Sequence, residues 1–246
     1  MRIADAVVTM ISYLKQPVKR AMIREAYTFR SKRGIEIGGP SAFFGLKGGF
    51  PVYLFAEKID NVNYGTNTFY GDYEPGETFN YYRKKIGHQF IAEATDLSEI
   101  GDGQYDFLLS SHSLEHTANP LKALKEWFRI LKPNGKLILI LPDKRYTFDK
   151  SREYTSFSHL IDDYENDRAE DDTTHIEEIL STFDEEVAKV KIKDYKLSLG
   201  DILANRSAHH HVFSQEMVKT AAEFVGFKVQ AQYETPPFHL TTIATK

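Results

Sequence analysis

The stretch from Tyr105 to Pro142 reads YDFLLSSHSLEHTANPLKALKEWFRILKPNGKLILILP and predicts a strand, a helix and a second strand. The short apolar runs at its two ends are typical of strands buried on both faces of a parallel sheet. Between them, Asn119 is a favourable N-cap and Pro120 suits the first helical position. This strand–helix–strand order indicates an α/β fold.

The same pattern extends on both sides of this stretch. Further strands are predicted at Gly34–Ile37, Val52–Ala56, Phe90–Ala94, Phe227–Tyr233 and Phe238–Thr245. Ser214 and Gly226 bound a predicted helix before the last two strands. These two strands are joined by too few residues for a parallel crossover, so they should be antiparallel. We predict a Rossmann-like, mostly parallel seven-stranded sheet with one antiparallel strand.

The pattern also suggests how the chain is divided. Residues 1–33 are predicted to form an N-terminal helical segment, and residues 34–246 a single domain. Residues 142–211 break the sheet pattern directly after the fifth strand and are polar and partly helical. We predict that they form an inserted cap that contributes to the substrate site.

Composition limits the function. The 246 residues include 41% apolar residues and no cysteine, and the net charge is −4. Disulfides, thiolate nucleophiles and cysteine zinc sites are therefore excluded, and a cytoplasmic location is expected. The negative charge disfavours a nucleic-acid partner, and the apolar run near the N-terminus is too short for a membrane span.

In open α/β sheets, ligands bind beyond the carboxyl ends of the strands. The predicted strands are followed there by two glycines and three acids: Gly38, Gly39, Glu57, Asp60 and Asp96. No phosphate-loop lysine accompanies them, and Pro40 offers no backbone N–H to a phosphate. The pattern favours a ligand that resembles a nucleoside but carries no phosphates.

Three segments carry a resemblance to a known family: GIEIGG at residues 34–39, ATDL at residues 94–97, and the stretch from Tyr105 to Pro142. They resemble class I S-adenosylmethionine (SAM) dependent methyltransferases, in particular the group with a Leu-Glu-His element after the fourth strand. The resemblance covers residues 34–141 and, more loosely, residues 214–245. It implies that SAM is the cofactor.

The resemblance also implies roles for individual cofactor-binding residues. Glu36, Gly38 and Gly39 would lie beside the methionine portion of SAM, Glu57 at the ribose hydroxyls, Asp96 and Leu97 at the adenine, and Ser111 and His112 near the sulfonium. Two alternatives remain open. Asp60 could replace Glu57 at the ribose, and Asp96 could instead cap a helix.

Methylation of a hydroxyl requires a base to remove its proton. The candidates are His112, His116 and His211, with His175 and His209 as further possibilities. The run His209–His211 also raises the question of a metal site. Neighbouring residues in a strand point to opposite faces, so at most His209 and His211 would converge. Packing or substrate contact is the favoured explanation, and no metal is predicted.

Together, these features predict transfer of a methyl group from SAM to the oxygen or nitrogen of a small-molecule or sugar acceptor. Two other functions are compatible with the sequence. One is an NAD-dependent oxidoreductase, since an acid after the second strand also suits an adenosine ribose. The other is a non-catalytic, methyltransferase-like binding subunit.

Overall fold

A computed structural model describes residues 16–68, 71–199 and 205–246 of the chain. The strands are β1 (Arg33–Ile37), β2 (Lys58–Asn63), β3 (Asn67–Thr68), β4 (Gly71–Asp72), β5 (Gly76–Tyr82), β6 (Lys85–Ile91), β7 (Tyr105–Ser111), β8 (Leu131–Pro142), β9 (Lys228–Thr235) and β10 (His239–Thr245). Eight of them form one sheet in the order β5-β6-β2-β1-β7-β8-β10-β9, and β3 and β4 form a separate pair.

Helices cover both faces of this sheet. They are α1 (Pro17–Tyr27), α2 (Val52–Phe55), α3 (Pro120–Ile130), α4 (Phe157–Glu165), α5 (Ile176–Thr182), α6 (Glu185–Ala188), α7 (Ile192–Leu199) and α8 (Gln215–Val225). Apolar residues of α3, α4 and α8 form one buried cluster with alternate sheet residues such as Leu108. Residues of α1 and α2 form a second cluster on the opposite face, with Phe107 and Leu109.

The predicted class is confirmed. Strands β6, β2, β1, β7 and β8 pair in parallel, as expected for a Rossmann-like fold. The sheet has eight strands rather than seven, and two of them, β5 and β10, run against the rest. Strand β5 was not predicted because its segment is rich in exposed polar residues. It joins the sheet through a tight hairpin to β6, with Arg83 in the left-handed region at φ +53°.

The second strand lies further along the chain than the sequence predicts. Most of the predicted strand Val52–Ala56 is the short helix α2, because a short apolar run also suits a buried helical turn. Strand β2 is Lys58–Asn63, although it contains polar residues. Its buried Asp60 accepts hydrogen bonds from Tyr105 Oη at 3.0 Å and from the backbone N–H of His88 at 2.8 Å. These partners make burial of a charged side chain tolerable.

Helices α3 and α8 begin where the sequence predicts. The Asn119 side chain accepts a hydrogen bond from the backbone N–H of Lys122 at 3.1 Å. Ser214 Oγ accepts one from the N–H of Met217 at 3.1 Å. Gly226 ends α8 in the left-handed conformation, at φ +115°. Each cap satisfies a backbone group that a helix end otherwise leaves without a partner.

The N-terminal and inserted segments are helical within the described ranges. Helix α1 lies in the predicted segment 1–33, of which residues 1–15 fall outside the described residues. The inserted segment 142–211 carries α4 to α7, and a small apolar cluster around Ile179 and Tyr195 packs within it. In the parts of the chain that the structure describes, no helix has the length and apolarity needed to cross a membrane.

Candidate active site

A cavity of about 540 Å³ opens at the carboxyl ends of β1, β2, β6 and β7. It lies where the chain passes from one side of β1 to the other, the usual position for ligands in open α/β sheets. Its walls are Ile37–Ser41, Val62–Tyr64, Tyr73, Ala92–Ala94, Ser111–Ser113, His116 and Thr117, with Glu170 and Arg206 from the inserted segment.

The turn after β1 requires glycine at the cavity floor. Gly38 has φ +78°, and a Cβ atom there would lie 2.3 Å from Ser113 Oγ. Gly39 is fixed by its backbone N–H, which donates to Asn61 Oδ1 at 2.9 Å. The turn is therefore rigid, and its backbone is open to close approach by a ligand.

Glu36 supports this turn from beneath, outside the cavity lining. Its fully buried carboxyl accepts hydrogen bonds from Tyr53 Oη at 2.5 Å and from the backbone N–H of Ser41 at 3.0 Å. Burial raises the pKa of Glu36 to about 8, although both hydrogen bonds act in the opposite direction. Glu36 was predicted to lie beside the methionine portion of SAM. In the structure it is outside the cavity lining and supports the loop that forms the cavity floor.

Two acids line the opposite wall, and both pair with one arginine. Arg206 forms ion pairs with Glu93 and, at 2.8 Å, with Glu170. Burial raises the pKa of both acids, that of Glu170 to about 7, while Arg206 opposes the shift. None of these three residues is predicted from the sequence. Glu93 was hidden inside the predicted strand Phe90–Ala94, whereas β6 ends at Ile91 and leaves Glu93 at the sheet edge.

Histidines occupy the wall that follows β7. His112 and His116 both line the cavity. His112 has φ +54°, and its Nε2 lies 2.9 Å from His239 Nδ1. Its Nδ1 lies 3.4 Å from Oε1 of the buried Glu115. Burial and the neighbouring His209 lower the pKa of His116 to about 4, so His116 is neutral near pH 7.

Residues 10–232 match a protein family described as "Methyltransferase domain". The chain belongs to this methyltransferase family. The match spans six of the eight strands of the sheet in full, together with the inserted segment. It confirms the predicted enzyme class, a SAM-dependent methyltransferase. A search among curated protein sequences finds no match.

Two solved structures share the fold of this methyltransferase at low sequence identity. A SAM-dependent methyltransferase from Mesorhizobium loti is 12% identical, with a TM-score of 0.52 over 94% of this chain and 96% of that one. A 1,6-didemethyltoxoflavin-N1-methyltransferase from Burkholderia thailandensis, with bound S-adenosylhomocysteine, is 10% identical. Its TM-score is 0.50 over 99% of this chain and 86% of that one.

The structure does not place Glu57 at the cavity of the methyltransferase. Glu57 precedes β2 and is exposed, because the strand begins at Lys58 instead of ending at Ala56. It therefore lies at the amino edge of the sheet, about 20 Å along β2 from the carboxyl edge. Asp60 is also outside the cavity, since it lies within β2 and is buried against Tyr105.

Asp96 and Leu97 also lie outside the cavity. The Asp96 carboxylate accepts a hydrogen bond from the backbone N–H of Ser98 at 3.1 Å in a turn, and residues 97–100 do not form the helix that a cap would require. Leu97 is fully buried in the apolar core. Both predicted contacts depended on a strand that ended at Ala94. Because β6 ends three residues earlier, the residues that reach the cavity are Ala92–Ala94.

The three consecutive histidines His209–His211 lie in two different surroundings, and none of them lines the cavity. His209 Nδ1 lies 2.5 Å from Asp149 Oδ2 and its ring contacts His116. The rings of His210 and His211 both contact that of His175. The alternation expected of a strand fails because this segment is not a regular strand. His211, predicted as a base, is buried away from the cavity.

Proposed function

We propose that the cavity binds SAM and that the enzyme methylates a small-molecule or sugar acceptor at oxygen or nitrogen. The observation that carries this proposal is the cavity itself, which spans four strand ends above the left-handed turn at Gly38. The methionine portion of SAM would lie over Gly38 and Gly39, and its sulfonium near Ser111 and His112.

Glu93 is the proposed acceptor of hydrogen bonds from the adenosine. It lines the cavity at the end of β6, where the neighbouring Ala92 and Ala94 leave room for a flat base. Arg206 is the one lysine or arginine among the described lining residues, and its charge is opposed by Glu93 and Glu170. This electrostatic balance suits a ligand without phosphates and argues against NAD.

His112 is the proposed base for a hydroxyl acceptor. Its Nδ1 faces Glu115 at 3.4 Å, and its Nε2, which lies 2.9 Å from His239 Nδ1, would take the proton once the acceptor hydroxyl displaces His239. A carboxylate behind an imidazole orients it and stabilises the imidazolium that forms when it takes a proton. Its left-handed backbone is a conformation that non-glycine residues rarely adopt, which is common at functional sites.

The inserted segment is the proposed cap over the acceptor side. It supplies Glu170 and Arg206 to the cavity wall, so closure would exclude water from the methyl transfer. A small acceptor fits a cavity of this size better than a macromolecule does. The net charge of −4 also provides little attraction for nucleic acid.

Calorimetric titration with S-adenosylhomocysteine tests the cofactor site. Glu93→Gln should weaken binding about 10- to 150-fold, because a hydrogen bond to a charged group contributes about 1.5–3 kcal/mol. Glu57→Gln is the matched control at the opposite edge and should bind like the wild type. Loss of affinity in Glu57→Gln alone, or tighter binding of NAD than of S-adenosylhomocysteine, would refute the assignment.

A screen of sugars, small alcohols and amines with labelled SAM tests the acceptor class. If His112 is the base, His112→Ala should lower kcat on a hydroxyl acceptor about 100-fold or more, a larger loss than any change in cofactor affinity. Methylation of RNA or DNA, with no small-molecule product, would contradict the proposed acceptor class.

A further inference from the structure

A group of metal-binding side chains lies in the inserted segment, outside the cavity lining. His159 and Asp163 are four residues apart on α4 and therefore share one face of that helix. His175 precedes α5, and His211 precedes α8. One nitrogen from each of the three histidines lies within 4.8 Å of the others, although the residues are separated by up to 52 positions (211 minus 159).

The spacing of the ligand atoms matches a tetrahedral metal site. His159 Nε2 lies 3.3 Å from His175 Nε2 and 3.4 Å from Asp163 Oδ2. His211 Nε2 lies 3.7 Å from the same carboxylate oxygen. A tetrahedral zinc ion with bonds of about 2.0–2.1 Å holds its ligand atoms about 3.3 Å apart. The three histidine nitrogens and the Asp163 oxygen would have to move to enclose one ion, and His211 would exchange its Nε2 hydrogen bond to the backbone oxygen of Ala118, 3.3 Å away, for the metal.

Asp163 provides an independent indication. The residue is buried, and its Oδ2 has no hydrogen-bond partner. The distances of 3.4 and 3.7 Å to His159 and His211 exceed those of charge-assisted hydrogen bonds, which are about 2.7–2.9 Å. A buried carboxylate oxygen without a partner is unfavourable, because it has lost its hydration without gaining a hydrogen bond. A cation among the four side chains would satisfy it.

We propose that His159, Asp163, His175 and His211 bind one divalent transition-metal ion, preferably zinc. Three imidazoles and one carboxylate form a donor set suited to zinc, and the chain has no cysteine that would favour a softer ion. Four protein ligands fill the tetrahedron, which is characteristic of structural sites rather than catalytic ones.

The ion would connect parts of the chain that are otherwise held by few contacts. Helix α4 packs on α3 and α8, on the core of the domain. His175 lies at the start of α5, in the outer part of the inserted segment. An ion bound to both would fasten the outer part of the inserted segment to the core.

Two neighbouring groups are alternatives to this site. Asp172 and His210 also lie near His175, and Glu115 forms a group with His116 and His209 beside the cavity. The proposed site is favoured because its distances are close to a tetrahedral edge, whereas His210 Nδ1 is 3.9 Å from Asp172 Oδ2. The variants described below distinguish the three groups.

The test is the zinc content and zinc affinity of the full-length protein, measured by elemental analysis and by competition with a chromogenic chelator. The wild type should bind one zinc ion per chain, and zinc should raise its Tm. His159→Ala and Asp163→Asn should each weaken zinc binding about 100-fold or more, because even outer-shell changes weaken metal sites about 10- to 100-fold. Substitution with Co²⁺ should give the strong visible absorption of a tetrahedral site.

His88→Ala is the matched control, since His88 is a partly exposed histidine on β6 that pairs with Glu77. It should retain full zinc affinity, as should His210→Ala and Glu115→Gln. The His159 side chain is 39% exposed, so His159→Ala should fold, and its metal-free Tm should equal that of the metal-free wild type. Equal zinc affinity in wild type and His159→Ala, or loss only in His210→Ala or Glu115→Gln, would overturn the proposal.

Discussion

At the scale of single residues, Gly38 shows how one backbone angle shapes the cofactor site. We expect Gly38→Ala to lower cofactor affinity at least about tenfold, because the new methyl group would collide with Ser113 and displace the turn. The strained backbone should also reduce the free energy of unfolding by about 1–2 kcal/mol. Calorimetry with S-adenosylhomocysteine and denaturant unfolding measure the two effects.

Gly76→Ala is the control that introduces backbone strain without a steric clash. Gly76 also has a positive φ, +105°, but a Cβ atom there would meet nothing within 4 Å. This variant should lose stability without losing cofactor affinity. The role given to Gly38 would be wrong if both variants bound the cofactor as tightly as the wild type.

Glu36 makes the stability of the protein depend on pH. The folded protein holds the Glu36 proton up to a pKa of about 8, whereas the ordinary value is 4.5. The folded state therefore binds more protons than the unfolded state between these values. The resulting stabilisation is complete below pH 4.5 and is lost as the pH rises to 8.

Glu36→Gln cannot titrate and should remove this dependence. The free energy of unfolding of the wild type, relative to that of Glu36→Gln, should fall by a few kcal/mol between pH 4.5 and 8, at about 1.4 kcal/mol per pKa unit. Denaturant titrations of both proteins at several pH values measure the difference. A difference that stays constant over this range would mean that Glu36 ionises normally in the folded protein.

At the scale of elements, the inserted segment is joined to the sheet through Arg206. Its guanidinium pairs with Glu170 in the insertion and with Glu93 beyond β6. Arg206→Met should leave two acids facing each other, loosen the segment and weaken cofactor binding about tenfold. Proteolysis within residues 166–199 should become faster and should slow again when S-adenosylhomocysteine is added.

Arg145→Met is the control for Arg206→Met. Arg145 also pairs with two acids, Asp143 and Glu234, but it is 49% exposed and outside the cavity lining. Surface pairs of this kind contribute about 0–1 kcal/mol. Equal proteolysis rates in the two variants would show that Arg206 does not hold the inserted segment.

At the scale of the whole molecule, the cavity joins strands on both sides of β1, so cofactor binding should stabilise the entire sheet. Trp127 is the single tryptophan, is fully buried and donates to the backbone oxygen of Ala94 in the cavity wall at 3.1 Å. Its fluorescence reports unfolding of the core. S-adenosylhomocysteine at 100 times its Kd should raise the free energy of unfolding by about 2.7 kcal/mol. An unchanged unfolding midpoint would mean that the folded protein does not bind S-adenosylhomocysteine.

Features with local signals could be predicted from the amino-acid sequence. The apolar runs of β1, β7 and β8 predicted the centre of the sheet, because a strand buried on both faces needs apolar residues throughout. Asn119, Ser214 and Gly226 predicted helix ends, because capping depends on the residue at the end itself. Gly38 and Gly39 predicted the turn at the cavity floor, and the motif after β7 predicted the family.

Which polar residues come into contact depends on the packing of the folded chain. The position of β2 was not predicted, because the burial of its polar residues Asp60 and Asn61 depends on hydrogen-bond partners from β6, β7 and the glycine turn. Strand β2 begins six residues later than the predicted strand. Glu57 therefore precedes the strand instead of following it, and does not lie at the cavity edge. Glu93, Glu170 and Arg206 meet although up to 113 positions separate them. His159 on α4 likewise lies close to His175, which precedes α5, and to His211, which precedes α8. Such convergence depends on how distant segments pack, which local spacing does not encode.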